Sequence, residues 1–182
     1  MIYNRLEMSV ITVTGIDDGY FPLNHKGRKG YAPLVSVIYE DFDLVEIDYS
    51  LILVDGEDAT DKLRSMNKRG YVILDGVIFG GFNYVKPEPN WIVFYSKRPN
   101  IIEIERALLK HFSKDQDRIF TILNILKNLR SITSRKGTIY VYTSLELSEA
   151  SRVISHYQIF SKRPEPLRTA HVIASAIGKL LF

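Results

Sequence analysis

The sequence predicts a mixed α/β fold, with a sheet antiparallel over its first three strands, parallel thereafter, and flanked by helices. Three observations predict it. The first 55 residues alternate between β-branched runs and turn signals, with no helical period. From Asp58 the period changes, and short strands then alternate with helical stretches. Two of those strands, Tyr71-Val72-Ile73-Leu74 and Trp91-Ile92-Val93-Phe94-Tyr95, are uninterrupted apolar runs, as expected of parallel strands covered on both faces.

Each element has a local cause. Ser9 to Ile16 is β-branched and stops at the turn Asp17-Asp18-Gly19. A basic, glycine-flanked loop follows, His25-Lys26-Gly27-Arg28-Lys29-Gly30. Ala32 to Tyr39 and Asp43 to Val54 read as the second and third strands, joined tightly enough at Glu40-Asp41-Phe42-Asp43 to make a hairpin. Asp58-Ala59-Thr60-Asp61 offers an N-cap and a following acid for a short helix reaching about Lys68. Asp75-Gly76 closes the fourth strand. Helical patterns cover Ile101 to Phe112, Ile119 to Arg130 and Ser148 to Tyr157. Gly137 to Thr143 is strand-like, and the alternation in Ile139-Tyr140-Val141-Tyr142 predicts an amphipathic edge strand. Proline at 166 opens a C-terminal helix running to Leu181.

At 182 residues the chain is expected to form one domain spanning 1–182. It has no cysteine, which excludes disulfides, thiolate metal sites and thiol nucleophiles. No apolar run reaches the roughly 18 residues of a membrane helix. Met1-Ile2-Tyr3-Asn4-Arg5 lacks the apolar block of a secretory signal, so a cytoplasmic location is expected. Charge is unevenly spread. Residues 1–90 carry 9 Lys/Arg against 14 Asp/Glu, a balance of −5, while residues 91–182 carry 15 against 7, a balance of +8. An acidic front and a basic back suit a carboxylate cation site in one half and phosphate-facing side chains in the other.

Ligands of such sheets bind at the carboxyl ends of strands, where the strand order reverses. Asp17 ends the first strand, Asp75 ends the fourth, and Asp58 stands at the entry to the first helix. Adjacent strands lie about 4.8 Å apart, so aspartates at matched ends can share a cation. Two-metal phosphodiester chemistry needs this kind of convergence on oxygen-loving ions, Mg²⁺ or Mn²⁺, about 4 Å apart. Asp18, Asp55 and Glu57 are close enough in sequence to replace their neighbours, and spacing does not choose among them. Each acid also has a structural use, as a turn residue or a cap. Lys26, Arg28 and Lys29, with Lys97 and Arg98, are candidates to contact phosphates. Phe79, Phe82 and Tyr84 could stack on unpaired bases or pack under their loop.

Several longer motifs carry a resemblance. Gly15-Ile16-Asp17-Asp18-Gly19, Val54-Asp55-Gly56-Glu57-Asp58-Ala59-Thr60 and Leu74-Asp75-Gly76-Val77-Ile78-Phe79-Gly80-Gly81-Phe82-Asn83 resemble an uncharacterised, mainly archaeal family related to endonuclease V. That family is catalogued as domain of unknown function ninety-nine. Lys97-Arg98-Pro99 and Pro164-Glu165-Pro166-Leu167-Arg168-Thr169-Ala170-His171 extend the likeness to nearly the whole chain. The resemblance implies an RNase H-like fold and an archaeal source. The likeness to endonuclease V implies metal ligands, which are also the catalytic residues, at Asp17, Asp58, Asp75 and His171. Arg168 would then steady a phosphate or pair with a carboxylate. Two features of endonuclease V are missing. Leu51 to Gly56 has no Tyr-Ile-Pro-Gly wedge, and Gly80-Gly81-Phe82-Asn83 keeps the glycines of its loop without the histidine. The expected function is a metal-dependent phosphodiester hydrolase acting on nucleic acid. The alternative is a nucleic-acid-binding protein that keeps the fold without catalysis.

Overall fold

The computed structural model describes residues 10–25 and 30–182. Lys26, Arg28 and Lys29 therefore lie outside the described residues, as does the expected start of the first strand at Ser9. The strands are β1 (Thr12–Asp18), β2 (Tyr31–Glu40), β3 (Asp43–Leu53), β4 (Tyr71–Asp75), β5 (Ile78–Phe79), β6 (Asn83–Tyr84), β7 (Trp91–Tyr95), β8 (Arg130–Ser134) and β9 (Gly137–Tyr142). The α-helices are α1 (Ala59–Ser65), α2 (Ile101–His111), α3 (Gln116–Lys127), α4 (Leu147–Tyr157) and α5 (Glu165–Leu181).

Seven strands form one sheet in the order β3-β2-β1-β4-β7-β9-β8, and β5 and β6 form a separate small hairpin. The first three strands are antiparallel neighbours, as expected, and β4 runs parallel to β1 and to β7. The sheet then turns antiparallel again, because β9 opposes β7 and β8 opposes β9. The expected edge strand is thus an interior one. Its edge is covered by β8, a strand the sequence pattern does not predict and whose first residue, Arg130, that pattern assigns to the end of a helix. Arg130-Ser131-Ile132-Thr133-Ser134 is polar, and a tight turn in which Ser134 Oγ donates to Gly137 O (2.7 Å) folds it onto β9.

Burial on both faces explains the apolar runs. Val72 and Leu74 of β4, with Val93 of β7, join Leu63, Leu108 and Leu126 from the helices α1 to α3 on one face. Ile73 and Ile92, pointing the other way, join Val153, Tyr157 and Leu167 from α4 and α5.

Helix ends move from their expected places for local reasons. α1 stops at Ser65 rather than Lys68, and the Lys68 ammonium donates instead to the carbonyls of Leu63 and Met66 (both 2.6 Å). α3 starts three residues early, because Asp115 caps it by accepting from Arg118 N (3.0 Å). α5 lies against β1 and β2. A Cβ on Gly15 would stand 2.6 Å from Pro166, and one on Gly19 would stand 2.1 Å from the backbone of Ala174. Bare backbone at these two positions lets strand and helix approach closely, which sets α5 beside the end of β1.

Candidate metal centre

Asp17 and Asp75 meet because β1 and β4 are parallel neighbours with Ile16 paired to Leu74. The next residue of each strand is the aspartate, so both carboxylates sit at one rim. The strand order reverses at this point, since β1 leads outward to β2 and β4 leads outward to β7. α5 completes the group by setting His171 Nδ1 3.0 Å from Asp17 Oδ2.

The fourth member was not foreseen. Arg163, on the connection between α4 and α5, directs Nη2 at Asp17 Oδ2 and Asp75 Oδ2 together. One cationic nitrogen thus bridges the two acids. Asp17 is 3% exposed, whereas the His171 side chain is 47% exposed, so Asp17 lies at the floor, the imidazole stands at the rim, and half-buried Asp75 lies between them in exposure.

Asp18 points beside this pair. Its Oδ2 accepts from Gly80 N at 2.5 Å, and its own N–H donates to Asp17 Oδ1 at 2.8 Å. Burial, then the charge of Asp17, pushes the Asp18 carboxyl up to about 7. Burial also raises Asp17, with Asp75 adding to the rise while His171 and Arg163 oppose it. Asp75 is raised by burial first, against the pull of Arg163, with Asp18 adding to the rise. His171 is raised by its hydrogen bond to Asp17. Three acids shifted upward, chiefly by burial and secondarily by one another's charge, describe a desolvated cluster of carboxylates. Tyr95, at the end of β7, accepts from Val77 N (3.2 Å) and so holds the turn after Asp75. Its hydroxyl is pushed up to about 12, chiefly by burial, and stays neutral.

Asp58 does other work. Its Oδ1 accepts from Leu53 N (3.1 Å) and from Asn83 Nδ2 (2.7 Å), and no hydrogen bond or ion pair links it to Asp17, Asp75 or His171 among the described residues. It does not cap α1 with its side chain either. Buried Asn83 takes that part, accepting from Ala59 N at 3.1 Å. The substitution has a physical logic, because one amide satisfies Ala59 N, Leu53 O and the Asp58 carboxylate at once.

The expected substrate contacts divide. Lys97 and Arg98 are exposed just beyond β7, whose Phe94 pairs with Asp75, so they leave the sheet near the acids. Arg168 pairs with Glu165 through Nε–Oε1 at 2.9 Å, and its guanidinium lies 5.9 Å above the Phe160 ring. Of its two expected uses, carboxylate pairing is the one realised. Phe82, half-buried, packs 5.5 Å from Phe112.

Sequence reasoning missed Arg163, Asn83, Tyr95 and Arg118. Arg163 immediately precedes the Pro164-Glu165-Pro166 stretch already singled out, so its position carried a signal although its partners did not. Arg118 is 2% exposed and ties α3 to the turn before α1, donating to Asp55 O (2.9 Å) and Gly56 O (3.2 Å). That turn in turn grips the glycine loop, since Asp55 N donates to Gly80 O (2.8 Å) and Phe82 N donates to Asp55 Oδ1 (2.8 Å). Asp18 is thereby held through Gly80 by residues remote in sequence.

The donor chemistry suits a hard divalent cation, with two carboxylate oxygens facing one cationic nitrogen and an imidazole nitrogen alongside. It is not a finished cage: no group of three or more His, Cys, Asp or Glu is disposed to hold an ion among the described residues.

The sequence model of the family described as endonuclease dU matches residues 9–178. A UPF0215 protein of Sulfurisphaera tokodaii is 44% identical over 173 residues, covering 93% of this chain and 96% of that one. A UPF0215 protein of Methanosarcina acetivorans is 35% identical over 184 residues, covering 92% and 90%. Among solved structures, a protein of unknown function from Archaeoglobus fulgidus superposes with a TM-score of 0.75 at 25% identity, covering 92% of this chain and 98% of that one. Ciona intestinalis endonuclease V, solved with inosine-containing DNA, superposes with a TM-score of 0.54 at 15% identity, covering 95% and 87%. That likeness bears out the RNase H-like fold.

Proposed function

Because the chain belongs to the endonuclease dU family, we propose that it hydrolyses phosphodiester bonds of nucleic acid with a divalent cation, Mg²⁺ or Mn²⁺, held by Asp17, Asp75 and His171. The observation that carries this reading is the pair of acids, Asp17 buried and Asp75 half-buried, sharing one cationic nitrogen at the point where the strand order reverses. When bound, the cation would polarise the scissile phosphate and make a water molecule more acidic. The chain's own residues supply the rest. Asp17 and Asp75 bring two negative charges to one point, and His171 orients against Asp17 through Nδ1, leaving its other ring nitrogen for a proton or a ligand. Lys97 and Arg98 neutralise flanking phosphates. Asp58 braces the turn before α1 rather than ligating. The family description brings deoxyuridine into the reading, so DNA carrying deoxyuridine is the first substrate to try.

The test uses end-labelled single- and double-stranded oligonucleotides that carry deoxyuridine, inosine or neither. Cleavage is expected with Mn²⁺ or Mg²⁺, is abolished by EDTA, and falls at least about 100-fold in Asp17→Asn and Asp75→Asn. Cleavage retained in both variants would overturn the assignment.

A second reading has an observation of its own. Arg163 already pairs with both acids and offsets one of their two charges, and the later half of the chain is basic, which suits a protein that binds nucleic acid without cutting it. Binding that persists in EDTA, with no cleavage of any substrate, would favour it.

A further inference from the structure

We propose that Arg163 is an internal counter-cation that occupies the divalent ion's place between Asp17 and Asp75 and leaves when the ion enters, so that this one side chain sets the protein's metal affinity. The inference rests on the metal-dependent reading above.

Two arginines in the same molecule show what distinguishes a fixed guanidinium from a replaceable one. Arg118 is built in. Its Nε donates to Asp115 Oδ2 (2.9 Å), Nη1 donates to Asp55 O (2.9 Å), Nη2 donates to Gly56 O (3.2 Å), and its plane lies 4.1 Å over Phe112. Every nitrogen is used. Among the described residues, Arg163 is held through one nitrogen, Nη2, shared by the two carboxylates, while its buried Nε has no hydrogen-bond partner. A buried N–H left unpaired is costly, so charge rather than a fitted socket keeps the side chain there.

The backbone beneath it is anchored. Gln158 Nε2 donates to Lys162 O (2.7 Å), Arg163 N donates to Ser161 Oγ (3.2 Å), and Pro164 follows at the start of α5. The moving part is then the side chain, a long flexible stem with 27% of its surface open to solvent. Charge decides the direction. Two carboxylates carry two negative charges and Arg163 offers one positive charge, whereas a divalent ion at the same point doubles the attraction. The cost is that the apparent metal affinity is the intrinsic affinity multiplied by the fraction of molecules in which Arg163 has moved away.

The experiment titrates the full-length protein with Mn²⁺ and follows free Mn²⁺ by electron paramagnetic resonance, with folding checked by circular dichroism. Arg163→Gln removes the charge and should tighten Mn²⁺ binding about tenfold or more, while Arg163→Lys, which keeps the charge, should stay near the wild type. Equal or weaker binding by Arg163→Gln, with the wild type binding Mn²⁺, would overturn the inference and leave the metal-dependent reading standing. Folded wild type and variants that all fail to bind would overturn both. A second measurement does not depend on Arg163→Gln folding. In isotope-labelled wild type the Nε–H resonance of Arg163, assigned by its absence from Arg163→Lys, should shift on adding Mg²⁺. An unchanged resonance at saturating Mg²⁺ would overturn the displacement.

Discussion

Asp17 and Asp58 are both aspartates near a strand end, yet their neighbours give them opposite work. Asp58 is matched by donors, Leu53 N and Asn83 Nδ2, and so behaves as a strut. Asp58→Ala should therefore lower stability by about 1–3 kcal/mol in urea unfolding, the cost of leaving buried donors unpaired, while Mn²⁺ binding survives. Asp18 shows the other extreme, a carboxyl pushed up to about 7 by burial and by the charge of Asp17. In the unfolded chain it titrates near pH 4. Between about pH 4 and pH 7 the folded protein keeps a proton that the unfolded chain has lost, so this group's contribution to stability falls as pH rises through that window. Asp18→Asn keeps an acceptor for Gly80 N and removes the titration. Metal-free Asp18→Asn should exceed the wild type by about 2–4 kcal/mol at pH 8, with the gap closing toward pH 4 in thermal melts.

At the scale of elements, the centre depends on how closely α5 lies against β1. The residues that permit this have no functional side chain at all. Gly15 faces Pro166 and Gly19 faces Ala174, each nearer than a Cβ would tolerate. Gly15→Ala should cost about 1–3 kcal/mol by overpacking. It should also weaken Mn²⁺ binding, because it pushes the start of α5 away from the strand that carries Asp17. Loss of stability with unchanged metal affinity would separate the packing role from the positioning one. The β3–α1 turn is a second such joint. Arg118 fixes it from α3, and through Asp55 and Gly80 the restraint reaches Asp18.

Across the whole molecule, no helix among the described residues is long and apolar enough to cross a membrane. The charge balance of +8 over residues 91–182 gives an excess of basic side chains to the half that supplies β7, with Lys97 and Arg98 just beyond its end. Affinity for unmodified DNA should fall linearly on a logarithmic salt scale. The double substitution Lys97→Ala and Arg98→Ala should reduce that slope by about 2, as read by fluorescence anisotropy from low to moderate salt. An unchanged slope would remove these two residues from the interface.

By itself the sequence determined the order of the main elements apart from β5, β6 and β8, and pointed to the meeting of Asp17 with Asp75. Both follow from short-range causes: the period of apolar residues, turn residues at strand ends, and the rule that parallel neighbours finish at one rim. It reached His171 only through a resemblance, since nothing local marks a histidine on a helix as facing an acid. Tertiary structure decided the rest. β8 is too polar to announce itself as a strand, Asp58 found donors 5 and 25 residues away in the chain, and Arg163 crossed 146 residues to reach Asp17. A side chain's partner is set by where the backbone places complementary charge in space, and local pattern carries no record of that.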